Sequence, residues 1–240
     1  MIAARRAAIL GLIGCVCCGK SARPPSDAER SAREKMVRTQ IAARGVKDPR
    51  VLRAMTDVPR HLFIDAPHRA AAYADRPVPI GEGQTMTQPY IAALMTELLD
   101  IQPSDRILEI GTGSGYESAL LSQLAREVYS IEILPTISRK AQERLHALGS
   151  TNVRFRIGDG YRGWPEAAPF DGILVTAAPR QIPPALLEQL APNGRMVIPV
   201  GDFFQELKVF SKDAKGDVTE ASVLPVRFVP MSGEAEKPGH

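Results

Sequence analysis

The chain has 240 residues, of which 44% are apolar and 24% are charged. This length and apolar content fit one α/β domain with a sizeable core, and no internal repeat is visible. The net charge is +3, but the first forty residues contain eight Lys or Arg and three Asp or Glu, so the remaining two hundred have a net charge of −2. The composition therefore argues against a basic nucleic-acid-binding body.

Residues 1–26 have the pattern of a targeting segment followed by a linker. Two arginines precede an apolar run at residues 7–18, which is too short to span a bilayer as a helix. All three cysteines lie in this run, and the tetrapeptide Leu-Ile-Gly-Cys that ends at Cys15 resembles a bacterial lipoprotein cleavage site. The alternative interpretation is a start codon assigned too early, with translation beginning at Met36.

The next segments predict helices and then an irregular connection. Residues 27–45 begin with acidic residues, carry mixed charges and end at a glycine, which predicts a surface helix. Asp48-Pro49 opens a second helix that ends before Pro59, and the stretch that follows, to residue 79, has no clear period. A connection of this length more often has a function of its own than serves only to link two elements.

A polar stretch with two glycines, residues 80–90, precedes a predicted helix that reaches about Leu99. We interpret this stretch as a loop. Thr85 or Thr87 could cap the helix, and Pro89 suits its first turn. The same hydroxyl oxygen can also contact a ligand, so the pattern leaves both roles open.

The sequence is organised around residues 106–116, Arg-Ile-Leu-Glu-Ile-Gly-Thr-Gly-Ser-Gly-Tyr. The apolar residues predict a buried parallel strand, and the alternate glycines predict a tight turn whose backbone can approach a ligand. The helix that follows, at residues 116–125, would point its N-terminal amides at that ligand. Together, the strand, turn and helix predict a nucleotide-like cofactor site.

The spacing of the glycines distinguishes between cofactors. A dinucleotide site has the pattern G-x-G-x-x-G, but the sixth position here is Tyr116, whose large side chain would prevent close packing. Glu109 stands two positions before the first glycine. The form E-x-G-x-G-x-G resembles the first motif of Rossmann-like methyltransferases that use S-adenosylmethionine, whose methionine end lies against this turn. A nicotinamide-dependent dehydrogenase is the disfavoured alternative.

Two acidic residues follow at the ends of predicted strands. The strand at 127–133 carries Glu132 near its end, where a doubly wound sheet faces the ribose and a carboxylate can accept hydrogen bonds from both hydroxyls. The strand at 152–157 is followed by Gly-Asp-Gly, and Asp159 in this turn is a candidate for contact with the adenine amino group. Each residue could instead be ordinary, Glu132 as the acidic start of a helix and Asp159 as part of a turn.

The remaining pattern predicts a sheet that is completed by four further strands. The strands are predicted at 170–175, 195–200, 207–210 and 223–229, and helices at 135–148 and 184–190. Asn193-Gly194 predicts a turn, and a polar hairpin turn is predicted around residues 215–217. We expect residues 27–240 to form one domain whose tail after Met231 is disordered.

At this point the chain resembles the protein-L-isoaspartate O-methyltransferases. The segments that carry the resemblance occur in order at compatible spacings: 81–90, 108–116, 128–132, 158–160, 170–179 and 193–201. The glycine turn is shared with many methyltransferases, but Gly-Gln-Thr-Met-Thr-Gln-Pro and Val-Thr-Ala-Ala-Pro are far more specific. The resemblance implies an α/β, Rossmann-like, S-adenosylmethionine-dependent methyltransferase fold, with a mostly parallel sheet, helices on both faces and an N-terminal helical extension.

The resemblance also implies repair, in which the free α-carboxyl of L-isoaspartyl residues in damaged proteins is methylated. A succinimide then forms, and part of it reopens as normal aspartate. The family's loop usually reads Thr-Ile-Ser-Gln-Pro, with its serine assigned to the active site, and Thr87 occupies that place here. Threonine keeps the hydroxyl but adds a methyl group and stiffens the rotamer. Arg180 and Gln181 also depart from the family's usual Pro-Glu or Pro-Pro.

The candidate site residues form two sets, one for the substrate and one for the cofactor. Thr85 and Thr87 would orient the substrate carboxylate. The residues that would bind S-adenosylmethionine are Glu109, Gly111, Thr112, Gly113, Gly115, Glu132, Asp159 and Gly160. No general base is required, because an unperturbed carboxyl titrates at about 4 and is already ionised near neutral pH. The four histidines are scattered, and the sequence has no metal-ligand spacing or Ser-His-Asp pattern, so no metal is expected.

The implied partners are isoaspartyl-containing proteins and peptides, without nucleic acid or stable membrane insertion, and we expect a monomer. Because S-adenosylmethionine is made and kept in the cytoplasm, we expect a cytoplasmic enzyme; the alternative is an exported lipoprotein anchored through Cys15. The segment after the fourth strand lacks the Asp/Asn-Pro-Pro-Tyr sequence of amine methyltransferases. Two functions are left open as alternatives: a non-catalytic module that binds damaged proteins, and a methyltransferase of other carboxyl substrates.

Overall fold

A seven-stranded sheet forms the centre of the computed structural model, which describes residues 27–236. Two strands, β1 (Val78–Gly81) and β2 (Gln84–Met86), form a separate small sheet. The strands of the large sheet, in chain order, are β3 (Arg106–Ile110), β4 (Glu127–Glu132), β5 (Val153–Ile157), β6 (Phe170–Val175), β7 (Leu190–Gly201), β8 (Gln205–Lys212) and β9 (Val218–Val226). The large sheet has the order β5-β4-β3-β6-β7-β8-β9, parallel from β5 to β7 and antiparallel beyond it. The carboxyl ends of the parallel strands therefore meet at one edge.

Helical elements cover both faces of this sheet. The α-helices are α1 (Asp27–Met36), α2 (Pro49–Asp57), α3 (Pro89–Leu98), α4 (Tyr116–Leu124), α5 (Pro135–Ala147) and α6 (Pro184–Gln189). Successive side chains of a strand point to opposite faces, so β3 contributes to two apolar clusters. Ile107 belongs to a cluster with residues of α1 to α5 on one face. Leu108 belongs to a cluster on the other face, with residues of α6 and of the 3-10 helices Gly160–Arg162, Pro165–Ala167 and Gly233–Glu236. The predicted fold class is confirmed.

The N-terminal segment is helical throughout, but its geometry changes along its length. α1 is followed by a π-helix, Val37–Ile41, and a 3-10 helix, Ala42–Arg44. Gly45 ends the segment at a φ of 104°, which confirms the predicted stop. The prediction of a surface helix is confirmed, since most of residues 27–45 are exposed, while Met36 and Ile41 on the inner face are buried against α2 and α3.

α1 is part of the folded domain. Arg33 is buried, and its Nε donates a hydrogen bond to the carbonyl oxygen of Thr56 in α2. A chain that began at Met36 would lose this contact. The predicted targeting segment, residues 1–26, lies outside the described residues. Within residues 27–236, no helix has the length and apolar character needed to cross a membrane.

A β-hairpin replaces the predicted loop ahead of α3. β1 pairs with β2 in an antiparallel register that places Val78 opposite Met86, and both are buried. Glu82 and Gly83 have φ values of 49° and 73°, as a two-residue turn with two left-handed residues requires. The alternation of buried Val78 and Ile80 with exposed neighbours is the strand signal that the loop interpretation overlooks.

The last three strands differ from their predicted ranges. β7 begins at Leu190 and continues through Asn193-Gly194, with Asn193 at a φ of 63°, so the predicted turn is an irregularity within the strand. β9 begins earlier than predicted. Its first residues were missed because the side chains of this edge strand are mostly exposed and show no alternation of buried and exposed positions. The predicted hairpin turn around residues 215–217 is confirmed.

Residues 232–236 are ordered, which corrects the prediction of a disordered tail for this segment. Met231 is buried, and a 3-10 helix, Gly233–Glu236, follows it. Oδ2 of Asp159 accepts a hydrogen bond from the backbone nitrogen of Glu234 at 2.7 Å. The groups that hold this segment lie far away in the sequence, so its own polar composition does not reveal them. Residues 237–240 lie outside the described residues.

Candidate active site

The glycine turn lies at the carboxyl edge of the sheet, between β3 and α4. Gly111, Gly113 and Gly115 have φ values of 93°, 52° and 85°, a region of backbone conformation that favours glycine. The backbone nitrogen of Gly111 donates to the carbonyl oxygen of Ile131 at 2.8 Å, which ties the turn to the end of β4. The predicted strand, turn and helix are confirmed.

The three glycines have different neighbours. A Cβ on Gly111 would lie 2.4 Å from Oγ1 of Thr176, and a Cβ on Gly115 would lie 2.9 Å from Cδ1 of Leu145 on α5. These two glycines therefore permit close packing of neighbouring elements. Gly113 has no such close neighbour and borders a cavity. It leaves room for a ligand to approach the backbone.

Glu132 lies at the end of β4 and borders the same cavity. Its Oε2 accepts a hydrogen bond from the backbone nitrogen of Gly113 at 2.9 Å, and its Oε1 accepts one from Leu134 at 3.0 Å. These bonds fix the orientation of the carboxylate. Each oxygen has a second acceptor site, so the carboxylate can still bind ligand hydroxyls. The contact with a ribose stays a prediction.

This cavity has the composition expected of a site for S-adenosylmethionine. Gly111, Gly113, Glu132 and Gly160 border it, together with Thr85 and residues 229–232. Glycines supply a cradle that side chains would fill, and a carboxylate stands beside it, so the residues fit a ligand that carries a nucleoside. Within residues 27–236, no group of three or more His, Cys, Asp or Glu side chains is placed to hold a metal ion.

Gly160 and Asp159 lie in the turn after β5 and have different surroundings. A Cβ on Gly160 would lie 2.3 Å from Cγ2 of Ile110, so this turn packs directly against the end of β3. Asp159 caps the 3-10 turn by accepting a hydrogen bond from the backbone nitrogen of Tyr161 at 2.9 Å, and its other oxygen holds Glu234. Its carboxylate fixes the C-terminal wall, and its contact with adenine stays a prediction.

Glu109 and Thr112 support the glycine turn from behind. Oε2 of Glu109 accepts hydrogen bonds from the hydroxyls of Ser118 and Ser130, both at 2.5 Å. Burial raises the pKa of Glu109 to about 8, although these two hydrogen bonds lower it. Thr112 is also buried, with its hydroxyl 2.6 Å from that of Ser130. Glu109 is thus placed in the core, whereas the sequence pattern suggests direct contact with the cofactor.

A second, larger cavity lies beside the first and has a volume of about 810 Å³. Thr85 and Thr87 border it on one side, and the chain segment at 225–230 borders it on the other. Thr176 borders both cavities, and its hydroxyl donates to the carbonyl oxygen of Gly111 at 2.8 Å. Thr176 lies in the Val-Thr-Ala-Ala-Pro segment but is not among the predicted site residues.

Arg60 is a second residue near the site that sequence reasoning missed. It is fully buried, and its Nη2 donates to the carbonyl oxygen of Thr87 at 2.5 Å while its Nε donates to that of Ala72 at 2.9 Å. The guanidinium carbon lies 4.6 Å from the ring centroid of Tyr116. Arg60 therefore fixes the backbone that carries Thr87. Its sequence context, in a stretch without a period, gave no signal of this contact.

Comparison with protein families and curated proteins gives consistent matches. The family model described as protein-L-isoaspartate(D-aspartate) O-methyltransferase matches residues 31–236. The protein-L-isoaspartate O-methyltransferase of Picosynechococcus sp. is 50% identical over 210 residues, covering 88% of this chain and 94% of the relative. The protein-L-isoaspartate O-methyltransferase 1 of Nitrosospira multiformis is 53% identical over 215 residues, covering 88% of this chain and 91% of the relative.

Solved structures agree with these matches. A protein-L-isoaspartate O-methyltransferase that is 29% identical superposes with a TM-score of 0.76, covering 85% of this chain and 67% of that chain. A second structure, from Plasmodium falciparum, is described as a putative protein-L-isoaspartate O-methyltransferase in complex with S-adenosyl-L-homocysteine. It is 24% identical, superposes with a TM-score of 0.73, and covers 83% of this chain and 98% of that chain. This likeness supports the fold. By the family match, the chain belongs to the protein-L-isoaspartate(D-aspartate) O-methyltransferases.

Proposed function

We propose that the chain transfers the methyl group of S-adenosylmethionine to the free α-carboxyl of L-isoaspartyl residues in damaged proteins, which initiates their repair. The observation that carries this proposal is the family match over residues 31–236, together with the two cavities that adjoin at Thr176. One cavity contains the glycine turn and Glu132. The other presents the hydroxyls of Thr85 and Thr87 to a carboxylate.

In this proposal, Thr85 and Thr87 orient the substrate carboxylate by donating hydrogen bonds to it. The carboxylate is itself the nucleophile and is ionised near neutral pH, so no side chain has to remove a proton. Bound S-adenosylmethionine supplies an electrophilic methyl group. The contribution of the chain is to hold the carboxylate oxygen in line with that methyl group and to exclude water. Arg60 supports this alignment by holding the carbonyl oxygen of Thr87.

The cofactor-binding residues act in two ways in this proposal. Gly113 and Gly160 leave room for the ligand, and Glu132 accepts hydrogen bonds from the ribose hydroxyls. Glu109 supports the glycine turn from the core. Asp159 holds the C-terminal segment that closes one side of the cavity, and its remaining acceptor sites serve the adenine amino group.

We further propose that the protein is a cytoplasmic monomer. S-adenosylmethionine is kept in the cytoplasm, which supports the same compartment for the enzyme. Light scattering measures the mass in solution, and mass spectrometry of the native protein tests the compartment. A diacylglyceryl group on Cys15 would contradict the cytoplasmic assignment.

The function is tested by transfer of a radiolabelled methyl group to a peptide with one isoaspartyl residue. The control is the peptide of the same sequence with a normal aspartyl residue. We expect base-labile label in the isoaspartyl peptide alone. Binding of both cofactor and peptide without transfer would favour the non-catalytic module, and equal labelling of both peptides would favour a methyltransferase of other carboxyl substrates.

A further inference from the structure

A third, smaller cavity lies between the glycine turn and the β1–β2 hairpin. It has a volume of about 30 Å³, enough for one group of the size of a water molecule or an ammonium. It shares Thr85, Gly111, Gly113 and Thr176 with the cofactor cavity, so the two cavities adjoin at the turn. A ligand whose nucleoside lies beside Glu132 would extend its other end into this smaller space.

Glu117 supplies the acidic group in the wall of this smaller cavity. It lies in the first turn of α4 and is 8% exposed. Its Oε1 accepts a hydrogen bond from the hydroxyl of Thr96 at 2.7 Å. Its Oε2 has no hydrogen-bond partner among the residues that the structure describes. Glu117 is the acidic residue among those that line the smaller cavity. One oxygen of Glu117 is therefore left to accept a hydrogen bond from a ligand.

The surroundings of Glu117 favour the binding of a cation. Burial raises its pKa to about 7, while the hydrogen bond from Thr96 and the charge of Arg60 lower it. Tyr116 and Glu109 are the other titratable groups that interact with it, and neither supplies a positive charge. A buried carboxylate with one hydrogen bond and one nearby cation is incompletely compensated. An ammonium group of the ligand would give the carboxylate of Glu117 a second hydrogen-bond donor and a positive charge.

We propose that Glu117 binds the α-ammonium group of the methionine part of S-adenosylmethionine, and so distinguishes it from nucleosides that lack the amino acid. This rests on the proposed function, because it assumes that the site takes S-adenosylmethionine. The amides of the turn and of the α4 N-terminus suit the α-carboxylate of the same ligand. They are donors, so the ammonium needs an acceptor, and Glu117 provides it.

The test compares the binding of two ligands to the wild-type chain and to Glu117→Gln by calorimetry. S-adenosylhomocysteine carries the amino acid, and 5′-methylthioadenosine has the adenosine and the thioether without it. We expect the variant to bind S-adenosylhomocysteine roughly 10- to 100-fold more weakly and 5′-methylthioadenosine with little change, as for loss of one charge-assisted hydrogen bond. The control is Glu188→Gln, at an exposed position on α6, which should bind both ligands as the wild type does.

Two results would overturn the proposal. An equal loss for both ligands would mean that Glu117 only shapes the pocket, and no loss for either would mean that it makes no contact. A second measurement uses the unaltered chain: its affinity for S-adenosylhomocysteine should fall as the pH decreases below about 7, because protonation removes the charge of Glu117. A rise in affinity would instead indicate a neutral carboxyl that donates to the ligand. Methyl transfer by the wild type reports on the proposed function separately.

Discussion

The backbone of Thr87 is anchored by a contact that does not involve its side chain. Its carbonyl oxygen is held by Arg60, and the residue borders the larger cavity. Substitution of the side chain therefore leaves the anchoring of the loop in place. For this reason, the hydroxyl of Thr87 can be tested without releasing the backbone that carries it.

We predict that Thr87→Val lowers methyl transfer at least about tenfold, because it keeps the shape and removes a hydrogen bond to a charged group. Thr87→Ser should keep or raise the rate, since it retains the hydroxyl and frees the rotamer. Turnover on an isoaspartyl peptide and affinity for S-adenosylhomocysteine are the measurements, and the affinity should stay constant. Thr151→Val, at an exposed position, is the control. Full turnover in Thr87→Val would mean that the hydroxyl has no role in the reaction.

Glu109 is a buried carboxyl whose ionisation opposes folding. Its pKa is raised to about 8 by burial, and its Oε1 has no hydrogen-bond partner among residues 27–236. Below the pKa of the unfolded chain, both states hold the proton and the folded state carries no penalty. As the pH rises toward about 8, the unfolded chain loses the proton first, so stability decreases.

We predict that Glu109 makes the free energy of unfolding decrease as the pH rises from roughly pH 5 to pH 8, because the unfolded chain loses this proton first. Glu109→Gln should remove the part of this pH dependence that is due to Glu109. The part due to Glu117, whose pKa is raised to about 7, should be retained. Urea unfolding of both proteins across this range measures the difference. Glu143→Gln, exposed on α5, should follow the wild type. Parallel curves for wild type and Glu109→Gln would show that Glu109 is ionised in the folded state.

The turn after β5 illustrates how one element fixes another at the edge of the sheet. Gly158 and Gly160 stand on either side of Asp159 and look equivalent in the sequence. In the structure, a Cβ on Gly160 would lie 2.3 Å from Ile110 on β3, whereas a Cβ on Gly158 would lie 4.0 Å from its nearest neighbour, Arg156. The first glycine is therefore replaceable, and the second determines how closely the turn approaches the cofactor cavity.

We predict that Gly160→Ala lowers the free energy of unfolding by about 1–3 kcal/mol, as overpacking of a core contact does. It should also weaken the binding of S-adenosylhomocysteine, because the displaced turn borders that cavity. Gly158→Ala is the matched control and should change stability by about 0.5 kcal/mol or less. Chemical denaturation and calorimetry measure the two effects. Similar behaviour of the two variants would contradict the assignment of Gly160 as the packing glycine.

At the scale of the whole molecule, α1 closes the side of the domain that carries α2. Arg33 is buried and donates to the carbonyl oxygen of Thr56, while Arg30 on the same helix is exposed and pairs with Glu34. The folded domain thus includes residues before Met36. An exposed ion pair of this kind adds little to stability, whereas a buried donor that holds another helix adds more.

We predict that a chain beginning at Met36 is less stable than one beginning at Asp27 by at least about 2 kcal/mol, because it loses the Arg33 hydrogen bond and the packing of α1. Arg33→Ala should reproduce part of this loss, and Arg30→Ala should not. Thermal and chemical unfolding of the four proteins provide the comparison. Equal stability of the two chain lengths would show that α1 is dispensable for folding.

The sequence by itself determined the strand, glycine turn and helix at residues 106–116 and the position of Glu132. The turn depends on local backbone freedom, which glycine spacing encodes directly. Glu132 could be placed because parallel strands end at one edge, so a residue at a strand end faces the same crevice as the turn. Gly111 and Gly113 follow from the same glycine spacing, whereas the roles assigned to Thr85 and Thr87 rest on the resemblance of their loop to the family's active-site loop.

Only the tertiary structure decided which distant groups complete the site. Arg60 reaches the carbonyl oxygen of Thr87, Thr176 joins the two cavities, and the folded segment after Met231 forms a wall of the cofactor cavity. It also placed Glu109 behind the turn and Glu117 beside the smaller cavity. The physical reason is that the burial and partners of a side chain depend on elements far along the chain. Local propensity and residue spacing do not predict contacts between elements that are far apart in the sequence.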